Sequence, residues 1–343
     1  MSVSQLLKKN PKNESFSLSD LQPKNLAGEQ AKWEFDPLYN PQFVYETPVG
    51  DLQERYGELS YVFQTLANGC IEASGGLPDW GTVYLSKEEI RAQAERYISD
   101  ALLTNRAKIE LSRNLVKRTF VKGTTVYFDS LPNRYPATQF PSLLAHEIGT
   151  HVLRRVNHQS QPWHLKPSVL PNRLPYIETE EGLAVLQGMI AEPKMLQYPV
   201  DQAINYLGVI WAHEMSFSAL AKQMRRWYSE PSLLWKRVLP LKRGLTDTSQ
   251  PGGPAKQQIY LAGLVKVVNW IVHHPNDYWK LWLGKLAIED LDRALEVPGV
   301  QTDVLLPVEY RENPDKYLAQ VFQIAERLYA LDPHLKKSLK GRS

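Results

Sequence analysis

The sequence predicts an α+β protein that is rich in helices and has one small mixed sheet. Three long stretches in the second half of the chain carry apolar residues at helical spacing: 201–228, 256–273 and 314–329. Before them, Thr124, Val126 and Phe128 alternate with their neighbours after a turn signal at Lys122 and Gly123, which is typical of a strand. This strand shortly precedes a helical segment at 141–151, so we expect the sheet to lie beside that helix.

Two further helices are predicted ahead of the strand. Apolar residues keep helical spacing from 51 to 73, and Gly75 with Gly76 ends that helix. Ser86 followed by Glu89 forms a capping box, which opens a second helix reaching about Leu103. Residues 244–254 are rich in glycine and proline and are the most loop-like interior segment.

Length and composition predict a globular chain. It has 343 residues, of which 43% are hydrophobic and 22% charged, close to the usual values for folded proteins. We expect a polar segment over 1–34, a single folded domain over 35–330 and a basic tail over 331–343. The aromatic residues between 33 and 45 are expected to anchor the chain that follows the polar segment: Trp33, Phe35, Tyr39, Phe43 and Tyr45.

Charge and cysteine content argue against several classes of function. The net charge is only +3 and the charges are mixed, so no nucleic-acid partner is expected. The single cysteine, Cys70, excludes an internal disulfide and a Cys-x-x-Cys metal site, and we expect it to be buried. No secretory signal and no long apolar run are recognisable, which predicts a cytoplasmic protein without a membrane span.

The chemistry-bearing motif is a pair of histidines with a glutamate beside the first. His146, Glu147 and His151 resemble the zincin signature His-Glu-x-x-His with one residue inserted. Histidines five positions apart on a regular helix point about 140° apart and could not share a metal ion. A π-bulge absorbs one extra residue, so we predict a widened turn between Glu147 and His151. Gly149 avoids a Cβ clash there, and the Thr150 hydroxyl is free to bond a preceding carbonyl.

The third metal ligand is expected from a second helix. In several zincin families a Glu-Gly-aromatic/Leu-Ala turn supplies a ligand glutamate, and Glu181 stands at that place, with Glu180 as the fallback. The small residues Gly182 and Ala184 would let this helix approach the motif helix closely. Two imidazoles, one carboxylate and an open water position form the usual catalytic zinc (Zn2+) set. Glu147 would then be the general base that activates a zinc-bound water nucleophile.

These motifs resemble those of the microtubule-associated tyrosine carboxypeptidase family, whose bacterial members carry a Gln-Glu-Gly-Leu-Ala motif. The likeness is carried by 146–151 and 181–184, and extends to 40–43, to Arg154 with Asn157, and to 260–263. It implies a zincin-like metallopeptidase domain with ligands His146, His151 and Glu181 and catalyst Glu147. It also implies removal of a C-terminal tyrosine, or another aromatic residue, from a peptide or protein. Glu180 stands where the family has glutamine, and Gln257 where an acidic residue is expected.

A carboxypeptidase must recognise a terminal carboxylate, which arginine binds best because it can donate two parallel hydrogen bonds. Arg243, beside the 244–254 loop that could close over substrate, is the leading candidate. The other cations considered are Arg225, Arg226 and Lys256. Tyr260 and Tyr176 are candidates for stabilising the oxyanion. The strand at 124–129 could also pair with an extended substrate backbone by edge addition.

Other histidines and other functions stay open. His158 and His164 could compete as metal ligands, whereas His213 with Glu214 lacks a following histidine and is a decoy. An endopeptidase or an aminopeptidase would use the same zinc chemistry. A non-catalytic regulatory module on a zincin fold is the alternative from a different class.

Overall fold

A computed structural model of the chain describes residues 22–46, 58–113, 118–194 and 196–337. The α-helices are α1 (Leu26–Phe35), α2 (Gln64–Ser74), α3 (Lys87–Asp100), α4 (Phe140–His146), α5 (Leu153–Gln159), α6 (Pro162–Leu165), α7 (Ile177–Ala191), α8 (Val200–Ala212), α9 (Phe217–Met224), α10 (Pro231–Lys242), α11 (Gln258–His273), α12 (Leu291–Leu295), α13 (Val308–Glu312), α14 (Pro314–Leu331) and α15 (His334–Lys337). A π-helical segment, Glu147–Val152, joins α4 to α5. Short 3-10 helices cover Pro167–Val169, Ala255–Gln257, Pro275–Trp282 and Ile288–Asp290. The helix-rich α+β class is confirmed.

The strands form one small mixed sheet. They are β1 (Lys108–Ser112), β2 (Thr119–Lys122) and β3 (Thr125–Asp129), in the order β1-β3-β2. β3 pairs parallel with β1 and antiparallel with β2. The alternating pattern correctly located β3, where Val126 and Phe128 are buried. The prediction that this strand could add a substrate backbone at its edge is wrong, because β3 is central and both of its sides are hydrogen-bonded.

The chain divides into two compact units, each built from two segments. Unit 1 comprises Met1–Leu77 with Val200–Leu261, and unit 2 comprises Pro78–Pro199 with Ala262–Ser343. The single domain over 35–330 therefore stays a prediction. Most of the 1–34 segment and the last residues of the 331–343 tail lie outside the described residues. In the described part of the chain, no helix is long and apolar enough to span a membrane.

Unit 1 has an aromatic core under its N-terminal arm. Trp33 and Phe43 are buried, and both pack against Trp235 with ring centroids 5.6 and 6.2 Å away. These two residues act as the expected anchors. Phe35, the last residue of α1, is by contrast 93% exposed and does not act as an anchor.

The 244–254 loop of unit 1 is held at several points. The buried Lys242 ammonium donates hydrogen bonds to the carbonyls of Ala212, Met215 and Gln250. Thr248 donates its hydroxyl to the Pro41 carbonyl at 2.8 Å. The loop is non-helical as expected, but these bonds tie it to its own unit.

Two predicted helices have different bounds in the structure. The helix expected over 51–73 is helical only from Gln64, and residues 51–57 lie outside the described part. Gly75 ends it in the left-handed conformation (φ 69°), as expected. The stretch 201–228 is two helices, α8 and α9, because the Ser216 hydroxyl accepts the Ala219 amide and starts a new helix.

The capping box predicted at Ser86 and Glu89 is confirmed, and it opens the first helix of unit 2. The Ser86 hydroxyl accepts the Glu89 amide at 3.2 Å, and the Glu89 carboxylate accepts the Ser86 amide at 2.7 Å. Both bonds satisfy amides at the start of α3 that have no partner within the helix. α3 runs to Asp100, close to the expected end, and brings Tyr97 toward the motif helix.

Candidate metal centre

The motif helix is widened where the five-residue spacing requires it. The backbone changes from α-helix to π-helix at Glu147 and returns to α-helix at Leu153. Thr150 donates its hydroxyl to the Ala145 carbonyl, five residues back, at 3.1 Å. The extra residue is absorbed, and the rings of His146 and His151 lie together with centroids 5.1 Å apart. The predicted π-bulge and the role of Thr150 are confirmed.

Gly149 is needed for a reason that the spacing did not reveal. A Cβ atom there would lie 2.4 Å from the Tyr97 hydroxyl oxygen, so the absent side chain makes room for α3. Tyr97 in turn donates its hydroxyl to the Glu309 carboxylate at 3.2 Å. The glycine therefore serves packing between elements, in addition to easing the widened turn.

Helix α7 reaches the centre through a glycine contact. A Cβ on Gly182 would lie 2.2 Å from the carbonyl carbon and oxygen of Gly263 in α11, and a Cβ on Gly263 would lie 2.1 Å from the Glu178 carbonyl oxygen. The two backbones thus touch directly, since neither position has a side chain. This close approach fixes how near α7 lies to α11, and with it the position of Glu181, the residue before Gly182.

Substituting Gly182 with alanine is expected to lower the free energy of unfolding by about 1–3 kcal/mol, the usual cost of overpacking. Without a clash, replacing glycine by alanine inside a helix would stabilise the helix by about 1 kcal/mol. A net loss of stability would therefore show that the new Cβ clashes with Gly263. Denaturant unfolding measures the change.

The matched control is Gly188→Ala in the same helix, where the new Cβ meets the Ser142 hydroxyl at 3.0 Å and that side chain can rotate away. Equal stability of the two variants would contradict the proposed role of the Gly182–Gly263 contact.

Three donor groups converge on one point beside these helices. Glu181 Oε2 lies 3.9 Å from His146 Nε2 and 3.7 Å from His151 Nε2. All three ligand atoms lie within 4.8 Å of one another, and the side chains are 11–26% exposed. In the described part of the chain, this is the one group of three or more such residues that could hold a metal ion.

The donor set fits zinc. A tetrahedral zinc ion with nitrogen and oxygen ligands at about 2.0–2.2 Å needs ligand atoms roughly 3.3–3.6 Å apart. The two separations that involve Glu181, 3.9 and 3.7 Å, are slightly wider, and small side-chain rotations would close them. Three protein ligands of this kind leave the fourth position open, as in catalytic rather than structural zinc sites.

Glu180 contacts His151 on the side of the ring opposite Glu181, and its role as the fallback ligand stays a prediction. His151 Nδ1 lies 2.9 Å from Glu180 Oε1. An ionised carboxylate only accepts, so Nδ1 carries the proton and Nε2 is left to face Glu181. Arg154 donates to the other carboxylate oxygen at 3.1 Å, and Lys285 Nζ donates to Oε1. Both oxygens of Glu180 are therefore engaged by protein groups.

Arg154 fixes this network to the backbone. It is fully buried and also donates to the carbonyls of Leu281, at 3.1 Å, and Leu286, at 2.8 Å. Burial acts to raise the pKa of Glu180, yet His151, Lys285 and Arg154 together hold it well below its usual range. A buried carboxylate is thereby kept charged next to the metal centre.

The same charges act on His151. Burial acts to lower its pKa, but the bond to Glu180 and the charges of Glu181 and Glu147 outweigh burial and raise the pKa to about 8. The protonated ring carries a second proton on Nε2, which a metal ion bound there must displace, so metal binding and proton release are coupled here.

The candidate substrate residues divide between the units. Tyr176 belongs to unit 2, directly precedes α7, is 37% exposed and has Lys285 Nζ 5.5 Å from its ring centroid. Arg243, Lys256 and Tyr260 belong to unit 1. Their assignment to substrate binding stays a prediction, as does that of Tyr176.

The competing histidines lie in separate clusters. His158 and His164 stack edge to face with centroids 5.1 Å apart, and the His158 ring accepts the Lys285 amide at 3.4 Å. His213 Nδ1 lies 2.9 Å from the Val209 carbonyl at the end of α8. None of the three belongs to the group of ligand atoms found among the described residues.

Sequence reasoning missed Lys285 and underestimated Arg154 and Glu180. Lys285 is 105 positions from its partner Glu180, and no local pattern connects them. The signals available were the acidic residue at 180 and the shared Arg154 noted in the family resemblance. A buried cation beside a buried carboxylate is recognisable only once both are placed.

Comparison with known proteins gives consistent matches. The family model for microtubule-associated tyrosine carboxypeptidase matches residues 79–196, which include all three candidate ligands. Microtubule-associated tyrosine carboxypeptidase 1 of Mus musculus is 31% identical over 320 residues, covering 89% of this chain and 67% of the mouse protein. The Homo sapiens protein of the same name is 31% identical over 321 residues, covering 89% of this chain and 66% of the human protein.

Proposed function

This chain belongs to the microtubule-associated tyrosine carboxypeptidase family, and on that basis we propose that it is a zinc-dependent metallo-carboxypeptidase. It would hydrolyse the last peptide bond of a peptide or protein and release tyrosine or another aromatic residue. The relatives' names support carboxypeptidase activity; zinc, the catalytic residues and the preference for tyrosine are our proposal.

The observation that supports the proposal most is the convergence of His146, His151 and Glu181. Two histidines spaced five apart share a face only because the helix is widened between them. Widened turns of this kind occur often at functional sites. A structural role alone would not explain why Glu180, Arg154 and Lys285 hold one imidazole in the tautomer that a metal ligand needs.

The chain's own residues would share the chemistry as follows. His146, His151 and Glu181 would hold zinc, which supplies Lewis acidity that polarises a carbonyl and acidifies water. Glu147, directly after the first ligand, would accept the proton of the attacking water at its carboxylate and pass it to the leaving amine. Glu180 would keep His151 Nε2 directed at the ligand group.

A peptide-release assay tests the proposal. Zinc-loaded protein is incubated with peptides that differ in their last residue, and products are identified by mass spectrometry. Release of single C-terminal residues, fastest for tyrosine or another aromatic, with loss of activity on chelation and recovery with zinc, is expected. Internal cuts would instead favour the endopeptidase alternative, N-terminal release an aminopeptidase, and no cleavage a non-catalytic module.

Glu180→Gln is expected to weaken zinc binding by about 10–100-fold, the usual effect of changing a group that orients a metal ligand. The amide oxygen can still accept from His151 Nδ1, but it leaves Arg154 and Lys285 without their carboxylate. Competitive zinc titration of the purified variant measures the change.

Glu178→Gln is the matched control, because Glu178 lies on the same helix as Glu180 but forms a 2.9 Å ion pair with Lys266 of α11. Zinc affinity that is unchanged in the Glu180 variant, or equally reduced in the control, would contradict the orienting role. A cytoplasmic location stays a prediction.

A further inference from the structure

Arg155 is a cation near the ligand histidine His151 in sequence, and it takes no part in the ion pairs around Glu180. It lies four residues after His151, at the start of α5, and is partly buried. Its Nε atom is buried and has no hydrogen-bond partner among the described residues. The carboxylates of these residues also form no ion pair with the Arg155 guanidinium. Its neighbour Arg154, by contrast, has an acceptor for each of its three nitrogens. A buried donor without an acceptor is costly, and such a group calls for an explanation.

Other cations lie within electrostatic range of Arg155. Arg154 and Lys285 both pair with the single carboxylate of Glu180, so that carboxylate is already occupied by two cations other than Arg155. Burial lowers the pKa of Lys285, and the charges of Arg154 and Arg155 lower it further against the effect of Glu180. Burial also lowers the pKa of His158 to about 3, and Arg155 is among the cations that add to this shift. An anion bound to Arg155 would reduce the repulsion between Arg155 and these neighbouring cations.

Solvent reaches this region beside Tyr176. The Tyr176 ring lies 5.5 Å from Lys285 Nζ and is 37% exposed. Burial raises the pKa of Tyr176, and the charges of Glu180, Arg154 and Arg155 also act on it, which places this ring among the same groups. A ligand arriving from solvent along Tyr176 would meet the cations and the metal ligands together.

The spacing suits the substrate of a carboxypeptidase. Its free carboxylate belongs to the residue that leaves, one residue from the scissile carbonyl, and consecutive Cα atoms are about 3.8 Å apart. Side chains four apart on a helix begin about 5–6 Å apart. Arg155, four residues after His151, therefore starts close to this ligand histidine, and its long side chain can reach a group that lies one residue from the scissile carbonyl.

We propose that Arg155 binds the α-carboxylate of the last substrate residue, with Lys285 adding charge from the side of Glu180. The guanidinium would donate two parallel hydrogen bonds to the carboxylate from its two terminal nitrogens, which are not among the buried unpaired atoms. This makes Arg155 a specificity-determining residue that restricts the enzyme to free chain ends. The assignment rests on the proposed function and offers a different residue from Arg243 for the same task.

The test compares one tyrosine-ended peptide with its C-terminal amide. Binding of each is measured by calorimetry to zinc-loaded Glu147→Gln protein, alone and combined with Arg155→Met or Arg155→Lys, and zinc content is determined for every variant. Methionine keeps an apolar stem but removes the charge, while lysine keeps the charge without the planar fork. Arg96→Met is the matched control, since Arg96 is an exposed cation of unit 2.

Arg155→Met is expected to weaken binding of the free-acid peptide by about 10–100-fold, the value of a charged hydrogen-bonded pair. Binding of the amide should change by less than about threefold, Arg155→Lys should fall between, and Arg96→Met should match the parent. An equal loss for both peptides, or none for the free acid, would overturn the assignment. If Arg155→Met does not retain zinc, Arg155→Lys decides by the same comparison.

The assay separates this proposal from the proposed function. Should the wild-type protein cleave neither peptide while its free-acid preference depends on Arg155, the carboxylate site stands and the hydrolase proposal fails. Should it release tyrosine with the same free-acid preference after Arg155→Met, the hydrolase proposal stands and Arg155 is excluded.

Discussion

Glu147→Gln is expected to lower kcat for peptide hydrolysis by about 10²–10⁴-fold, the usual contribution of a positioned general base. The amide is nearly the same size as the carboxylate but cannot accept a proton from the attacking water. Because Glu147 is not among the three ligand atoms that converge, zinc content should stay at one ion per chain. Peptide-release kinetics and elemental analysis of the same sample measure both quantities.

Glu178→Gln, which removes a carboxylate from α7 outside the ligand group, serves as the control for this experiment as well and should retain activity. A Glu147→Gln protein that turns over at the wild-type rate would remove Glu147 from the role of base. Loss of zinc together with activity would show instead that Glu147 helps to hold the metal.

His151→Ala is expected to reduce zinc affinity by more than the roughly 10–100-fold predicted for changes in groups that only orient a ligand. The substitution removes one of three donors and leaves the buried Glu180 carboxylate without its His151 partner. Purified protein should therefore contain less than one zinc ion per chain and show no measurable hydrolysis. Elemental analysis and competitive chelator titration test this.

His164→Ala provides the matched histidine control. His164 lies in the separate pair with His158 and is outside the ligand group, so this variant should bind zinc as the wild-type protein does. Stoichiometric zinc in His151→Ala, or loss of zinc in His164→Ala, would assign the metal to other residues.

Local patterns predicted the elements that depend on local physics. The capping box at Ser86 and the alternating strand at β3 were located correctly, since neighbouring residues decide both. The break between α8 and α9 was missed, because apolar spacing continues through it and only the Ser216 cap interrupts the helix. The central place of β3 was equally hidden, since a strand's own sequence does not state how many partners it has.

In the candidate metal centre, too, some features follow from the local sequence and others only from tertiary contacts. The five-residue spacing of His146 and His151 demanded a widened turn, and the structure has one. However, the need for glycine at position 149 comes from Tyr97 on another helix. The close approach of α7 to α11 comes from Gly263, which lies 81 positions after Gly182. Such reasons lie in contacts between distant segments.

By itself, the sequence determined the helix-rich class, the motif, its irregular turn and the residues that could ligate a metal, because helical periodicity and ligand chemistry act over a few positions. Tertiary structure alone decided that Glu180 contacts His151 Nδ1, that Arg154 and Lys285 pair with that carboxylate, and that the Nε atom of Arg155 is buried without an acceptor among the described residues. The free-energy cost of each buried charge depends on its burial and on its partners from distant segments, and the sequence states neither.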